Sequence, residues 1–202
     1  MSTEEKILQA AMDIFLEKGL HGTKMQEIAD KAEINKAMLH YYFRSKEKLY
    51  AHVFEIVFKH VFEELHQIFT SEESFETQVH TFVNKYIDLI KNNPRIPLFI
   101  IRELGQGGEV AANTFKNAIA AENYMLPHSF IVAAKNAVET KQIKPVDPRH
   151  LLITLLGSCV FFFIAEPMIS VFLNNDPSFN REMFINQRKN EIINVLLNGI
   201  KP

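Results

Sequence analysis

Apolar residues recur at helical spacing along almost the whole chain. Ile7, Ala10, Ala11, Ile14 and Phe15 stand at i, i+3, i+4, i+7 and i+8, the stripe of a helix with one buried face. Ser2-Thr3-Glu4-Glu5 ahead of them has the form of a capping box, and Gly19 sits where a left-handed residue ends a helix. Met25, Ile28, Ala29 and Ala32 make a second, shorter stripe, with Thr23 as its expected cap. Asn35 suits the cap of a third helix over about Lys36–Phe43, which leaves only Glu33 and Ile34 for the turn. Leu39 and Phe43 are four apart and share the inner face. Lys36, Ala37, His40, Tyr41 and Arg44 lie round the outer face, with Met38 at its edge.

Ser45 then caps a long helix to about Phe69, whose apolar positions wrap most of its circumference. Such a helix would join a small head to a larger body. Helices follow over about Phe75–Lys91, Pro97–Leu104 and Glu109–Thr140, the last kinked or split at Pro127, whose ring removes a bond. Asp147-Pro148 opens an eighth helix to about Ala165, with a further turn or two after Pro167. Asn174-Asn175-Asp176-Pro177 repeats the cap pattern before a ninth helix over about Ser178–Asn198. Strand-like alternation is scarce. The expectation is an all-α fold of about nine helices, divided into a head of residues 1–48 and a body of residues 49–202.

Composition narrows what such a chain does. It has 202 residues, 47% of them hydrophobic, with 17 Phe and no Trp, ample for a packed core. The net charge of −2 means that any nucleic-acid binding needs a local basic surface. The lone Cys159 fits a reducing compartment. The start, MSTEEK, carries no leader-like apolar segment, so a cytoplasmic location is expected. The apolar run Leu151–Ala165 is shorter than the ~20 residues of a membrane span. It reads as a buried helix covered on more than one face, with no membrane partner.

Residues 7–49 resemble the N-terminal domain of the TetR family of bacterial transcriptional regulators. The resemblance is carried by Ile7, Ala10-Ala11, Phe15 and Gly19, by Gly22-Thr23 and Ile28-Ala29, by Leu39-His40-Tyr41-Tyr42-Phe43, and by Ser45-Lys46-Glu47-Lys48-Leu49. The body matches only in pattern. The resemblance implies a homodimer built through helices eight and nine and a near-palindromic operator DNA. It also implies a small-molecule effector held in the body, whose binding changes the spacing of the two heads. Two residues depart from the family's habit of glycine: Glu33 in the turn and Ala37 near the start of helix three. A non-glycine residue in left-handed geometry costs roughly 1–2 kcal/mol, so Glu33 implies either a different turn or a strained one.

Phosphate contacts give affinity and base-edge contacts give sequence preference. Thr23 and Asn35, at helix starts, suit phosphate oxygens. Lys36, Tyr41, Tyr42 and Lys46 reach the backbone or the groove, and Ala37, Met38 and His40 face the bases. Thr23 and Asn35 are helix caps in any case, and Tyr42 beside Phe43 has core as its plain alternative. In the body the aromatic residues are foremost core. The candidates for an effector pocket are Phe62, Phe82, Tyr86, Phe99, Arg102, Phe115, Tyr124, His128 and Phe162, lined for an apolar or aromatic molecule. Arg102 and Glu103 are equally readable as an ordinary surface pair.

Nothing suggests catalysis. Gly157-Ser158 lacks the nucleophile-elbow frame, and Gly105–Gly108 lacks the lysine of a phosphate loop. His60, Glu63, Glu64 and His66 mix by chance on helix faces, so neither metal nor cofactor is expected. The leading reading is a sequence-specific DNA-binding regulator, a repressor released by its effector. The other is a helical small-molecule-binding or scaffold protein without specific DNA binding.

Overall fold

In a computed structural model the described residues form ten α-helices and no strand. The structure describes residues 2–120, 126–173 and 178–202, and among these not the side chains of 63, 64 and 118–120. The helices are α1 (Thr3–Gly22), α2 (Met25–Lys31), α3 (Lys36–Tyr42), α4 (Lys46–Ile68), α5 (Phe75–Asn92), α6 (Arg95–Gly105), α7 (Glu109–Ala120), α8 (Leu126–Glu139), α9 (Pro148–Leu173) and α10 (Arg181–Ile200). In the segment expected as one kinked or split helix over Glu109–Thr140, the described residues form α7 and α8, and residues 121–125 lie outside the described residues. Pro127 sits in the first turn of α8, where a missing N–H costs nothing.

The chain packs as two compact units. One holds residues 1–60 and 95–123, the other 61–94 and 124–202. In the first, α1 packs on α2 and α6, and α2 on α3. Ser2 caps α1 with a full capping box. Ile7, Ala11, Phe15, Ile28, Ala29 and Leu39 are fully buried, as the stripes require. Phe15 meets the Tyr50 ring edge-on at 5.0 Å, and Tyr50 meets Phe99 of α6 at 5.3 Å. α1 is broken at Gly19, whose φ of 69° and ψ of −176° lie outside the helical region.

In the second unit α5 packs on α9 and α10, and α8 on α9. Its centre is a group of buried rings. Phe69 stands 5.4 Å from Phe82 and 4.9 Å from Phe130, and Phe75 lies 5.7 Å from Phe130. α9 continues through Pro167 to Leu173, the further turn or two expected beyond Ala165, without a break at the proline. The Pro167 ring deprives only one carbonyl of its helical partner, and Glu166 beside it is ion-paired with Arg181 of α10. By length and composition α9 is the one described helix apolar enough to cross a membrane. Asp147 caps it, accepting from the Arg149 N–H at 2.9 Å, and the bonded Arg149 guanidinium holds the Asp147 carboxyl well below the usual range. The cap expected at Asn174–Pro177 lies outside the described residues. α10 is instead capped by Asn180, whose side chain accepts from the Met183 N–H.

Candidate DNA-binding surface

One residue anchors α3 and leaves its remaining side chains on the surface. Leu39 is wholly buried, which stabilises α3, packed on α2, by about 1.5–3 kcal/mol. Lys36, Ala37, Met38, His40, Tyr41 and Tyr42 are all exposed. Tyr41 is 82% exposed, and its ring stands edge-on to that of Tyr42 at 5.5 Å. Tyr42 is therefore not core, the plain alternative weighed for it. Asn35 caps the helix: its side-chain oxygen accepts from the Met38 N–H at 2.8 Å.

The turn before α3 is tight. Ile34 N–H donates to the Ala29 carbonyl at 3.0 Å and Glu33 N–H to Asp30 at 3.2 Å. Closing it puts Glu33 at φ 57°, the left-handed region. Of the two outcomes anticipated from the sequence, strain is the one observed.

Charge is sorted across the head. Two acids of α1 and α2 are paired internally, Glu27 with Lys18 at 3.2 Å and Asp13 with Lys31 at 2.9 Å. Hydrogen bonds from the Lys18 ammonium and the Lys24 N–H hold the Glu27 carboxyl below its ordinary value. Lys24, Lys36, Arg44 and Lys48 take part in none of the ion pairs among the described residues. Lys24 escaped the sequence reading. It, and not Thr23, is the residue before α2, with its N–H bonded to Glu27.

Two candidates are placed differently from expectation. Thr23 is only 2% exposed, and its hydroxyl donates to the Gly19 carbonyl at 2.7 Å. The break at Gly19 turns the chain back so that Thr23 closes the end of α1, and its side chain is not on the surface. The Lys46 ammonium donates to the Thr23 carbonyl at 3.1 Å. Lys46 thus ties the start of α4 to the α1–α2 junction, with two N–H groups left over. Ser45 caps α4 by accepting from the Lys48 N–H.

The pocket candidates fall in different units. Phe99, Arg102 and Phe115 belong to the first. Phe99 is fully buried, Phe115 meets Phe58 at 6.0 Å, and Arg102 is exposed. The Arg102 guanidinium donates to the Glu17 carbonyl of α1 at 2.6 Å. Glu103 beside it is no surface partner. It is buried and accepts from the Val110 and Ala111 N–H groups of α7 at 2.9 and 3.4 Å. Burial and the Glu103 carboxylate together push the Tyr50 hydroxyl well above its ordinary range. Phe62, Phe82, Tyr86, His128 and Phe162 belong to the second unit. Phe82 and Phe162 are buried in ring clusters, and His128 is exposed. Burial raises the Tyr86 hydroxyl and pushes the Cys159 thiol up to about 12. Tyr124 and the neighbouring Asn123 lie outside the described residues.

Residues 7–53 match the model of bacterial regulatory proteins, tetR family. Over nearly its whole length the chain is similar to the HTH-type transcriptional regulator RutR of Escherichia coli strain K12, 24% identical over 98% of this chain and 91% of that protein. The HTH-type transcriptional repressor NicS of Pseudomonas putida is 39% identical over 28% of this chain and 26% of its own. Among solved structures, the transcriptional regulator FadR of Bacillus subtilis in complex with stearoyl-CoA superposes with a TM-score of 0.70. It covers 98% of this chain and 99% of its own at 16% identity, a likeness of fold. Residues 7–53 thus match the tetR family of bacterial regulatory proteins, and the chain as a whole is similar in fold to known transcriptional regulators.

Proposed function

We propose that this transcriptional regulator is a cytoplasmic repressor that binds a near-palindromic operator as a homodimer and leaves it when a small apolar or aromatic effector binds. One observation carries the reading. The segment matched by the family model presents a helix whose side chains other than Leu39 are all exposed, flanked by cations without acidic partners. Residues 1–48 dock on the duplex in this reading, and residues 49–202 take the effector and dimerise. Lys24, Lys36, Arg44 and Lys48 contact phosphates; Ala37, Met38, His40 and Tyr41 enter the major groove. Few cations per head mean that two heads are needed, with half-sites about one helical turn apart or modestly more.

What supports dimerisation through α9 and α10 is apolar surface. Ile153, Phe161, Met168, Val171 and Phe172 of α9 and Met183 and Val195 of α10 are each 58–72% exposed. Exposed apolar area of that extent marks an interaction site. A second copy covers it in this reading, which also accounts for the apolarity of α9 without a membrane. The effector class rests on the aromatic body and on FadR, a regulator of this fold that holds stearoyl-CoA.

The test is selection of bound duplexes from a random pool by the full chain at physiological salt, followed by a thermal-shift screen of apolar ligands. An enriched near-palindrome, released by a stabilising ligand, is the expected result. Equal binding to all duplexes overturns the proposal.

A further inference from the structure

Resting on that operator-binding reading, we propose that the head reads its half-site through the 5-methyl groups of thymines, with Ala37 and Met38 as the specificity-determining residues. A base edge in the major groove is recognised most strongly by a side chain that makes two hydrogen bonds at once. Arginine does this on guanine with its planar fork, lysine does so with a less directional ammonium, and asparagine or glutamine does so on adenine. The exposed face of α3 holds Lys36, Ala37, Met38, His40, Tyr41 and Tyr42, with no arginine, asparagine or glutamine among them; the exposed Arg44 lies beyond Tyr42, the last residue of the helix.

The one amide at the helix start is Asn35, and its oxygen accepts from the Met38 N–H at 2.8 Å. That bond fixes the Asn35 side chain against the start of its own helix as a cap, so it is not free to turn both its acceptor and its donor to an adenine edge. Lys36 is a point charge without a planar fork and serves a phosphate better than a base. His40 and Tyr41 each offer single hydrogen bonds.

Two apolar groups remain on this face. Met38 is a thioether left 42% exposed, although it follows Ala37 on a helix only seven residues long. Ala37 ends at its Cβ and lets the helix backbone approach closely. The thymine methyl is the one apolar group that a base pair presents in the major groove. A polar environment of single hydrogen bonds around two apolar contacts selects A·T pairs at the positions they cover and tolerates change elsewhere.

The experiment uses the half-site enriched from the random pool, rebuilt as the same duplex with deoxyuridine in place of each thymidine in turn. Affinity is expected to fall about fourfold for each groove-facing methyl removed, the factor for losing one buried methyl-sized contact. Met38→Ala and Ala37→Gly, checked by thermal melting for an intact fold, are expected to bind more weakly and to lose that sensitivity at one position each. Full-strength binding to the deoxyuridine duplex, or an enriched half-site of G·C pairs alone, overturns the inference while leaving the regulator intact. If no duplex is enriched, the operator-binding reading fails and takes this inference with it.

Discussion

The Lys46 ammonium donates to the carbonyl of Thr23 at 3.1 Å, so a residue expected on the DNA also holds the head together. Lys46→Ala should therefore do two things. It removes a charged donor from a half-buried carbonyl, at about 1.5–3 kcal/mol, and it weakens every duplex alike. Thermal melting and titration of specific and random duplexes measure the two effects. A variant that loses affinity with no fall in Tm would show the bond to be idle.

Glu33→Gly should stabilise the chain. Glu33 at φ 57° costs roughly 1–2 kcal/mol that glycine does not incur. Glycine gives back about 0.5–1 kcal/mol through its freer unfolded state. The net gain expected in urea unfolding is about 0.5–1 kcal/mol. A loss would mean that the Glu33 side chain contributes something else to the turn.

Glu103 supplies the acceptor for two N–H groups at the start of α7. Glu103→Ala leaves those donors unmatched beside the buried Tyr50 hydroxyl and should cost about 2–3 kcal/mol. Glu103→Gln keeps one acceptor oxygen and should cost clearly less. Equilibrium unfolding of the two variants separates the cases.

The Cys159 thiol, raised from 9.0 to about 12 by burial, stays neutral at ordinary pH. The native chain should react with maleimide or disulfide reagents far more slowly than the unfolded chain, since the thiolate is the nucleophile. The sign for stability follows. The folded thiol ionises at higher pH than the unfolded one, so its contribution is whole below about 9 and is lost as pH rises toward 12. Unfolding followed between pH 8 and 11 checks this.

Phe161→Glu tests the covered face. Phe161 is 58% exposed in the single chain, so the substitution should leave the fold intact while placing a charge in the dimer contact. Sedimentation should report a monomer, with operator affinity lost in step. A variant that remains a dimer removes α9 from the interface.

The head was legible because its signals are local. Ser2, Asn35 and Ser45 act as caps within three residues of what they cap. The exposure of α3 follows from one leucine placed among polar neighbours, and even the conflict at Glu33 was visible. The role of Thr23 was not legible, because it depends on the direction the chain takes at Gly19. Arg102 and Glu103 are neighbours in sequence but about 100° apart round a helix. One reaches the Glu17 carbonyl and the other is buried, and only knowledge of what packs on α6 tells which. The run of α9 past Pro167 was legible too, because a long apolar helix tolerates one missing bond.

The stack of Phe15, Tyr50 and Phe99, with centroids 5.0 and 5.3 Å apart, bears on how this protein is cut and recombined. Its third ring comes from α6, far along the chain from the first two. A fragment ending before residue 95 would bare Phe15 and Tyr50 to water and give up the Arg102 bond to α1. The reading head is therefore no portable cassette. A chimera that moves it onto another regulator must bring α6 along or rebuild the surface on which α1 rests.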